Sequence, residues 1–133
     1  MSESKKLEQR LLQVAKDRKA LLFGEFKLSA GGISPYYFDG RLLTLDPEGA
    51  YLTAECFLPI LMRCGAEAIA GPTLGADPIV AAVAVMSYLK ESPVSALIVR
   101  KEAKYHGGKR SVEGPLRKGM RVAVVDDTCT SGA

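Results

Sequence analysis

Apolar residues at Leu7, Leu11, Leu12, Ala15 and Leu22 recur at helical spacing, so a first helix is expected over Lys5–Leu22. Gly24–Leu28 and Tyr36–Phe38 read instead as short strands, joined by the turn-rich SAGGISP. Pro47–Arg63 returns to helical spacing, with proline in its first turn. Ala68–Ala70 is a short apolar run suited to a buried strand. Asp77-Pro78 reads as an N-cap followed by proline at the first helical position, opening a helix to about Lys90. Ser95–Arg100 and Arg121–Val125 complete the pattern as strands, the second valine-rich with no polar face. Strands alternating with helices predict an α/β fold on a parallel sheet with right-handed crossovers.

One connection breaks the rhythm. Lys101–Gly119 carries Gly107-Gly108, Gly114-Pro115 and dense positive charge, none of which suits a crossover helix. Connections longer than ~12–15 residues without their own structure are usually functional. A paired hairpin or a lid is expected there. Lys101–Lys118 holds six basic residues against two acidic ones, a net of +4 in a chain whose total is +3, so the excess positive charge sits in this segment. Such concentration marks a solvated face or an anion site.

The end of the sequence supplies the complementary chemistry. The strand at Val122–Val125 runs into Asp126 and Asp127, then into Thr128-Cys129-Thr130-Ser131-Gly132. Open α/β sheets bind ligands at the carboxyl ends of their strands. Successive N–H groups and hydroxyls in such a loop form a nest for a phosphate. Carboxylates beside a phosphate would repel it unless they serve ribose hydroxyls, or a Mg²⁺ held through water. A ribose 5-phosphate site is therefore indicated. The competing reading is an ordinary strand end with a capping turn.

This segment resembles the phosphoribosyl pyrophosphate (PRPP) signature of the type I phosphoribosyltransferases. FGEFKLSAGGISPYYFD (Phe23–Asp39), GPTLGADPI (Gly71–Ile79) and RKEAKYHGGKRSVEGPL (Arg100–Leu116) are similar, in the same order, to motifs of the orotate branch of that family. The resemblance implies a parallel sheet flanked by helices with a small N-terminal hood. It also implies Mg²⁺-dependent transfer of phosphoribose from PRPP to orotate, in pyrimidine biosynthesis, and a homodimer whose catalytic loop is shared between subunits. Carried over by motif position, Arg100, Lys101, Lys104 and His106 would contact pyrophosphate. Asp126 and Asp127 would face the ribose hydroxyls, and Thr128, Cys129, Thr130, Ser131 and Gly132 would hold the 5-phosphate. Tyr37 and Phe38, with Thr130, would lie against orotate. Lys101, Lys104, His106, Asp126 and Asp127 form the implied catalytic set, with Mg²⁺ carried by PRPP and water and no direct protein ligand. Apart from the pattern, His106 reads as a solvated loop histidine, and Tyr37 and Phe38 as an aromatic pair on a half-buried strand.

Two positions depart from one branch of the family, which has a basic residue at the place of Ser29 and a lysine at the place of Gly75. The consequence is weaker PRPP affinity, or a backbone approach to the phosphates through Gly75. In the family a helix and further strands come after the phosphate loop, with an arginine for the orotate carboxylate. The sequence ends at Ala133 before them. The expectation is one phosphoribosyltransferase domain, residues 1–133, without the C-terminal part of the fold. A non-catalytic PRPP-binding regulatory module and an inactive truncated fragment are the alternatives.

Composition narrows the setting. The chain has 133 residues, of which 47% are hydrophobic, enough for one core. No apolar run approaches the ~18 residues of a membrane span. The N-terminus lacks a signal peptide's apolar stretch, so the expected setting is cytoplasmic, with neither membrane nor nucleic acid as partner. Cys56, Cys64 and Cys129 fit no zinc spacing, and Cys56 and Cys64 are expected as small core residues.

Overall fold

The computed structural model describes residues 1–102 and 111–132. Helix α1 (Glu3–Asp17) opens on Ser2, whose hydroxyl accepts from the Lys5 amide at 3.3 Å. It buries Val14 and Ala15. The helix ends five residues before the expected Leu22, because Lys19 takes a positive φ of 58° and turns the chain into a strand. Strands β1 (Leu21–Lys27) and β2 (Ile33–Phe38) pair antiparallel and are longer than the sequence indicates. The register shifts between Phe23 and Phe26. A four-residue helix, α2 (Arg41–Thr44), comes after the hairpin and is too short to leave a periodic signature.

Helix α3 (Pro47–Cys64) starts where Asp46 accepts from the Gly49 amide at 2.9 Å and Pro47 occupies the first turn. It stops at Gly65, which adopts a left-handed φ of 66°. Arg10 grips Glu48 with two hydrogen bonds of 2.7 and 2.8 Å, and Arg18 donates to Asp46 at 2.7 Å, so α1 is clamped to the start of α3. These guanidinium groups and the Gly49 amide hold Asp46 and Glu48 below the usual carboxylate range.

Four strands form the main sheet in the order β5-β4-β3-β6: β3 (Ala68–Pro72), β4 (Ser95–Val99), β5 (Val112–Glu113) and β6 (Val122–Val124). Strand β3 runs parallel to both β4 and β6, while β5 folds back antiparallel on β4. The sheet is therefore mixed. The expected pairing within 101–119 is not seen among the described residues; Val112–Glu113 pairs instead with β4, which precedes that connection. Helix α4 (Asp77–Leu89) returns the chain from β3 to β4. Leu58 and Leu61 of α3, Ile69 of β3, and Ile79, Val80 and Val83 of α4 make one buried cluster. Burying each such side chain contributes roughly 1.5–3 kcal/mol.

Two expectations need correction. Asp77 is the first residue inside α4 rather than its cap, because its carboxylate is bonded to the Thr73 hydroxyl at 2.7 Å. Cys64 is exposed at the end of α3 and Cys56 is half-buried, so neither belongs to the core. Strand β6 lies at the sheet edge, and Val124 is 73% exposed. Among the described residues, no helix is long and apolar enough to cross a membrane.

Candidate functional site

The parallel strands β3 and β6 end side by side, so the loops that leave them meet at one edge of the sheet. Val125 N–H donates to the Ala70 carbonyl at 2.8 Å, carrying the pairing up to the acids. At Gly71 a β-carbon would collide with Ala76 and with the Val125 carbonyl, so glycine lets the two strand ends approach closely. Beyond them a cavity of about 510 Å³ is lined by Pro72, Val124, Val125, Asp126, Thr128, Cys129, Thr130, Ser131 and Gly132. The whole phosphate-loop set except Asp127 is thus gathered around one space.

Asp126 and Asp127 part company. Asp126 is exposed on that cavity, and its Oδ1 accepts from the Asp127 amide at 2.8 Å. Asp127 turns inward, and its Oδ1 accepts from the Thr128 amide at 2.9 Å. Burial first, then its side-chain hydrogen bond with Asp126, pushes the Asp127 carboxyl above its usual range. One acid faces the open cavity and the other is seated in the protein.

A second cavity of about 500 Å³ lies at the neighbouring strand end, lined by Thr73, Asp77, Ile98, Arg100, Lys101, Glu102 and Glu113. Arg100 is held there: its guanidinium meets Glu113 at 3.3 Å and the Glu102 carbonyl at 3.4 Å. Its amide donates to the Ser111 carbonyl at 2.7 Å, which extends the β4–β5 hairpin. Lys101 is exposed on the rim. Asp77 Oδ1 is buried without a partner among the described residues. Pro72 lines the first cavity and Thr73 the second, so the C-terminal end of β3 separates a hydroxyl-lined space from one where Arg100 and Lys101 stand among the carboxylates of Asp77, Glu102 and Glu113. Lys104 and His106 lie outside the described residues.

Tyr37 and Phe38 line neither cavity. They alternate across β2: Tyr37 is 52% exposed, with its ring 5.7 Å from that of Phe26, whereas Phe38 packs against Val14, Ala15, Ala20, Leu43 and Leu52. Sequence reasoning gives no individual site role to Thr73, Asp77, Glu113 or Gly40, although Asp77 is read as a helix cap and Thr73 and Glu113 fall within quoted motifs. Position at a strand end and a helix start was the available signal for the first two. Glu113 precedes the glycine of the GPL turn, and Gly40 had no local signal.

No protein-family model matches the chain. Among curated proteins, an orotate phosphoribosyltransferase of Aquifex aeolicus is 42% identical over 127 residues, covering 94% of this chain and 69% of the relative. Another from Synechocystis is 51% identical over 110 residues, covering 82% of this chain and 55% of the relative. Across the first two curated relatives the chain thus spans 69% and 53% of their length. The crystal structure of Mycobacterium tuberculosis orotate phosphoribosyltransferase in complex with Fe(III) dicitrate matches with a TM-score of 0.72 and 30% identity, over 98% of this chain and 70% of that one. The same enzyme in complex with PRPP matches with a TM-score of 0.71 and 28% identity, over 95% of this chain and 67% of that one. Sequence similarity along nearly the whole chain and a shared α/β architecture agree: the chain belongs to the orotate phosphoribosyltransferase family.

Proposed function

We propose that the protein containing this chain transfers phosphoribose from PRPP to orotate, giving orotidine 5-phosphate and pyrophosphate. The observation that carries this reading is the pair of cavities on either side of the β3 end. One is lined by Asp126 and the Thr128–Gly132 loop, and the other by Arg100 and Lys101 together with Asp77, Glu102 and Glu113. PRPP has the matching layout, with a 5-phosphate at one end of a ribose and a pyrophosphate at the other. The Mycobacterium tuberculosis relative in complex with PRPP supports that ligand.

In this reading the loop amides and hydroxyls of Thr128, Thr130 and Ser131 bind the 5-phosphate, and Asp126 and Asp127 accept from the ribose hydroxyls. Bond breaking at C1 leaves positive charge on the ribose and places negative charge on the departing pyrophosphate. Lys101 and Arg100, with Lys104 and His106, meet that negative charge as it develops, which lowers the barrier more than it strengthens ground-state binding. Mg²⁺, held through its water shell beside Asp126, would supply charge neutralisation to the phosphates. Among the described residues no group of three or more His, Cys, Asp or Glu side chains is arranged to hold a metal. The open carboxylate of Asp126 suits contact through the ion's water. Tyr37, with its exposed ring, and Thr130 are the orotate contacts of this scheme. Phe38, carried over with them by motif position, packs instead into the cluster beneath α1.

A homodimer completes the proposal. Val85, Tyr88 and Leu89 form an apolar stripe along one side of α4 and are 62%, 75% and 67% exposed, which supports a second copy against that helix. The test is to mix full-length protein, PRPP, Mg²⁺ and orotate and follow orotate absorbance. Loss of orotate that depends on PRPP supports the reading. PRPP binding without orotate consumption favours a regulatory PRPP-binding module instead.

A further inference from the structure

Asp127 is the one member of the signature that the cavity does not receive, and its surroundings explain where it goes. A methyl group added at Gly40 would stand 2.9 Å from Asp127 Cβ and 3.0 Å from Oδ2. One added at Gly75 would stand 2.7 Å from Asp127 Cγ and 2.9 Å from Oδ2. Gly40 leaves the N-terminal hairpin just before α2, and Gly75 belongs to the turn between β3 and α4. Two elements remote in sequence thus leave out a side chain at the same carboxyl.

We propose that Gly40 and Gly75 form the seat of the Asp127 carboxyl and are positioning residues for the acid pair. The proposal rests on reading that pair as the ribose contact.

Backbone conformation does not require glycine at either place. Gly40 has φ −60° and ψ −31°, ordinary helical values, and Gly75 lies outside the left-handed region. By itself, alanine at such positions stabilises a fold by narrowing the unfolded ensemble. What excludes it is Asp127. The side chain is short, and its Cβ is already within reach of a methyl at position 40, so turning the carboxylate gives only partial relief. A methyl at position 75 presses on the carboxyl from the other side, where Oδ1 holds the Thr128 amide. Displacing the carboxyl therefore loosens the first amide of the phosphate loop as well. The raised proton affinity of Asp127, from burial and from Asp126, fits a carboxyl held in place rather than one free in solvent. In this structure a larger side chain at position 75 enters the space that the Asp127 carboxyl occupies.

The experiment is a double-mutant cycle of wild type, Gly40→Ala, Asp127→Ala and both together, with Gly75→Ala as an independent second variant. Affinity for PRPP with Mg²⁺ is read by calorimetry, and thermal midpoint by unfolding. In the wild-type background Gly40→Ala and Gly75→Ala weaken PRPP binding about tenfold to a hundredfold, the loss of one charge-assisted hydrogen bond. In the Asp127→Ala background Gly40→Ala weakens binding no further. The midpoint changes sign: Gly40→Ala lowers it or leaves it when Asp127 is present, and raises it when Asp127 is absent. Equal effects of Gly40→Ala in both backgrounds, on affinity and on midpoint, overturn the seat. If Asp127→Ala binds PRPP as wild type does, the ribose assignment fails. The midpoint cycle, which needs no ligand and is repeated with Gly75→Ala in place of Gly40→Ala, still decides whether the two glycines seat the carboxyl.

Discussion

Lys101→Ala separates a cation that acts on the leaving group from one that holds the fold together. Lys101 is exposed on the rim of the cavity at the β4 end, and it makes no ion pair among the described residues. Its removal should leave stability within about 0.5 kcal/mol, as for other surface substitutions. Arg100 differs, because its guanidinium is engaged by Glu113 at 3.3 Å and by the Glu102 carbonyl at 3.4 Å. An exposed pair of that kind contributes ~0.2–1 kcal/mol, so Arg100→Ala mixes a stability loss with any catalytic one. A charge-assisted hydrogen bond to the departing pyrophosphate is worth ~1.5–3 kcal/mol. At about 1.36 kcal/mol per tenfold, Lys101→Ala should lower kcat by about 10- to 150-fold. The KM for orotate should change little, since the lysine meets charge that develops only as the bond to pyrophosphate breaks. Initial rates of orotate consumption, with PRPP and orotate varied in turn, give both quantities, and thermal unfolding gives the control. A raised orotate KM with kcat unchanged would refute the reasoning, because the lysine would then contribute uniform binding.

Mixing a Lys101→Ala/Lys104→Ala protein with an Asp126→Ala protein should restore part of the activity, because one site of a mixed dimer can combine an intact loop with intact acids. Activity no higher than the sum of the two alone would place the loop on its own subunit's site. Asp127→Asn should raise stability near neutral pH. The folded state raises the Asp127 pKa above its ordinary 3.8, so the proton favours folding at low pH and that advantage is lost as pH rises through the folded value. The gain over wild type should shrink toward zero below about pH 4, and a gain independent of pH would contradict the burial argument. Ser87→Ala should cost ~1–3 kcal/mol in denaturant unfolding, because it strands a buried amide. The Ser87 hydroxyl accepts from Val94 N–H at 2.9 Å and donates to the Ala84 carbonyl at 2.8 Å, joining the end of α4 to the entry of β4. A loss under about 0.5 kcal/mol would show that this amide finds another partner.

The sequence pattern is reliable where local chemistry decides the structure. Helix α3 obeys its apolar spacing, and Asp46-Pro47 and Gly65 mark its ends because capping and left-handed φ are local demands. The pattern misleads where side chains answer to distant partners. Leu22 continues the spacing of the first helix, yet pairs with Tyr37 in the hairpin. Asp77 has a capping residue's chemistry, but Thr73 engages its carboxylate. The phosphate loop is legible because its acids and hydroxyls are contiguous, and all but Asp127 share one cavity. The different fates of Asp126 and Asp127 are not legible, since the burial of Asp127 depends on glycines far earlier in the chain. Likewise Tyr37 and Phe38 read as a pair, and the alternation of a strand sends them to opposite faces. Phe38 is then taken up by the cluster beneath α1.

The central claim is that one PRPP spans both cavities across the end of β3, and a crystal structure of the full-length protein with PRPP and Mg²⁺ tests it most directly. The account predicts the 5-phosphate among Thr128–Gly132, the ribose hydroxyls against Asp126 and Asp127, and the pyrophosphate beside Arg100 and Lys101. A PRPP bound in the opposite direction, or outside these two cavities, would contradict it.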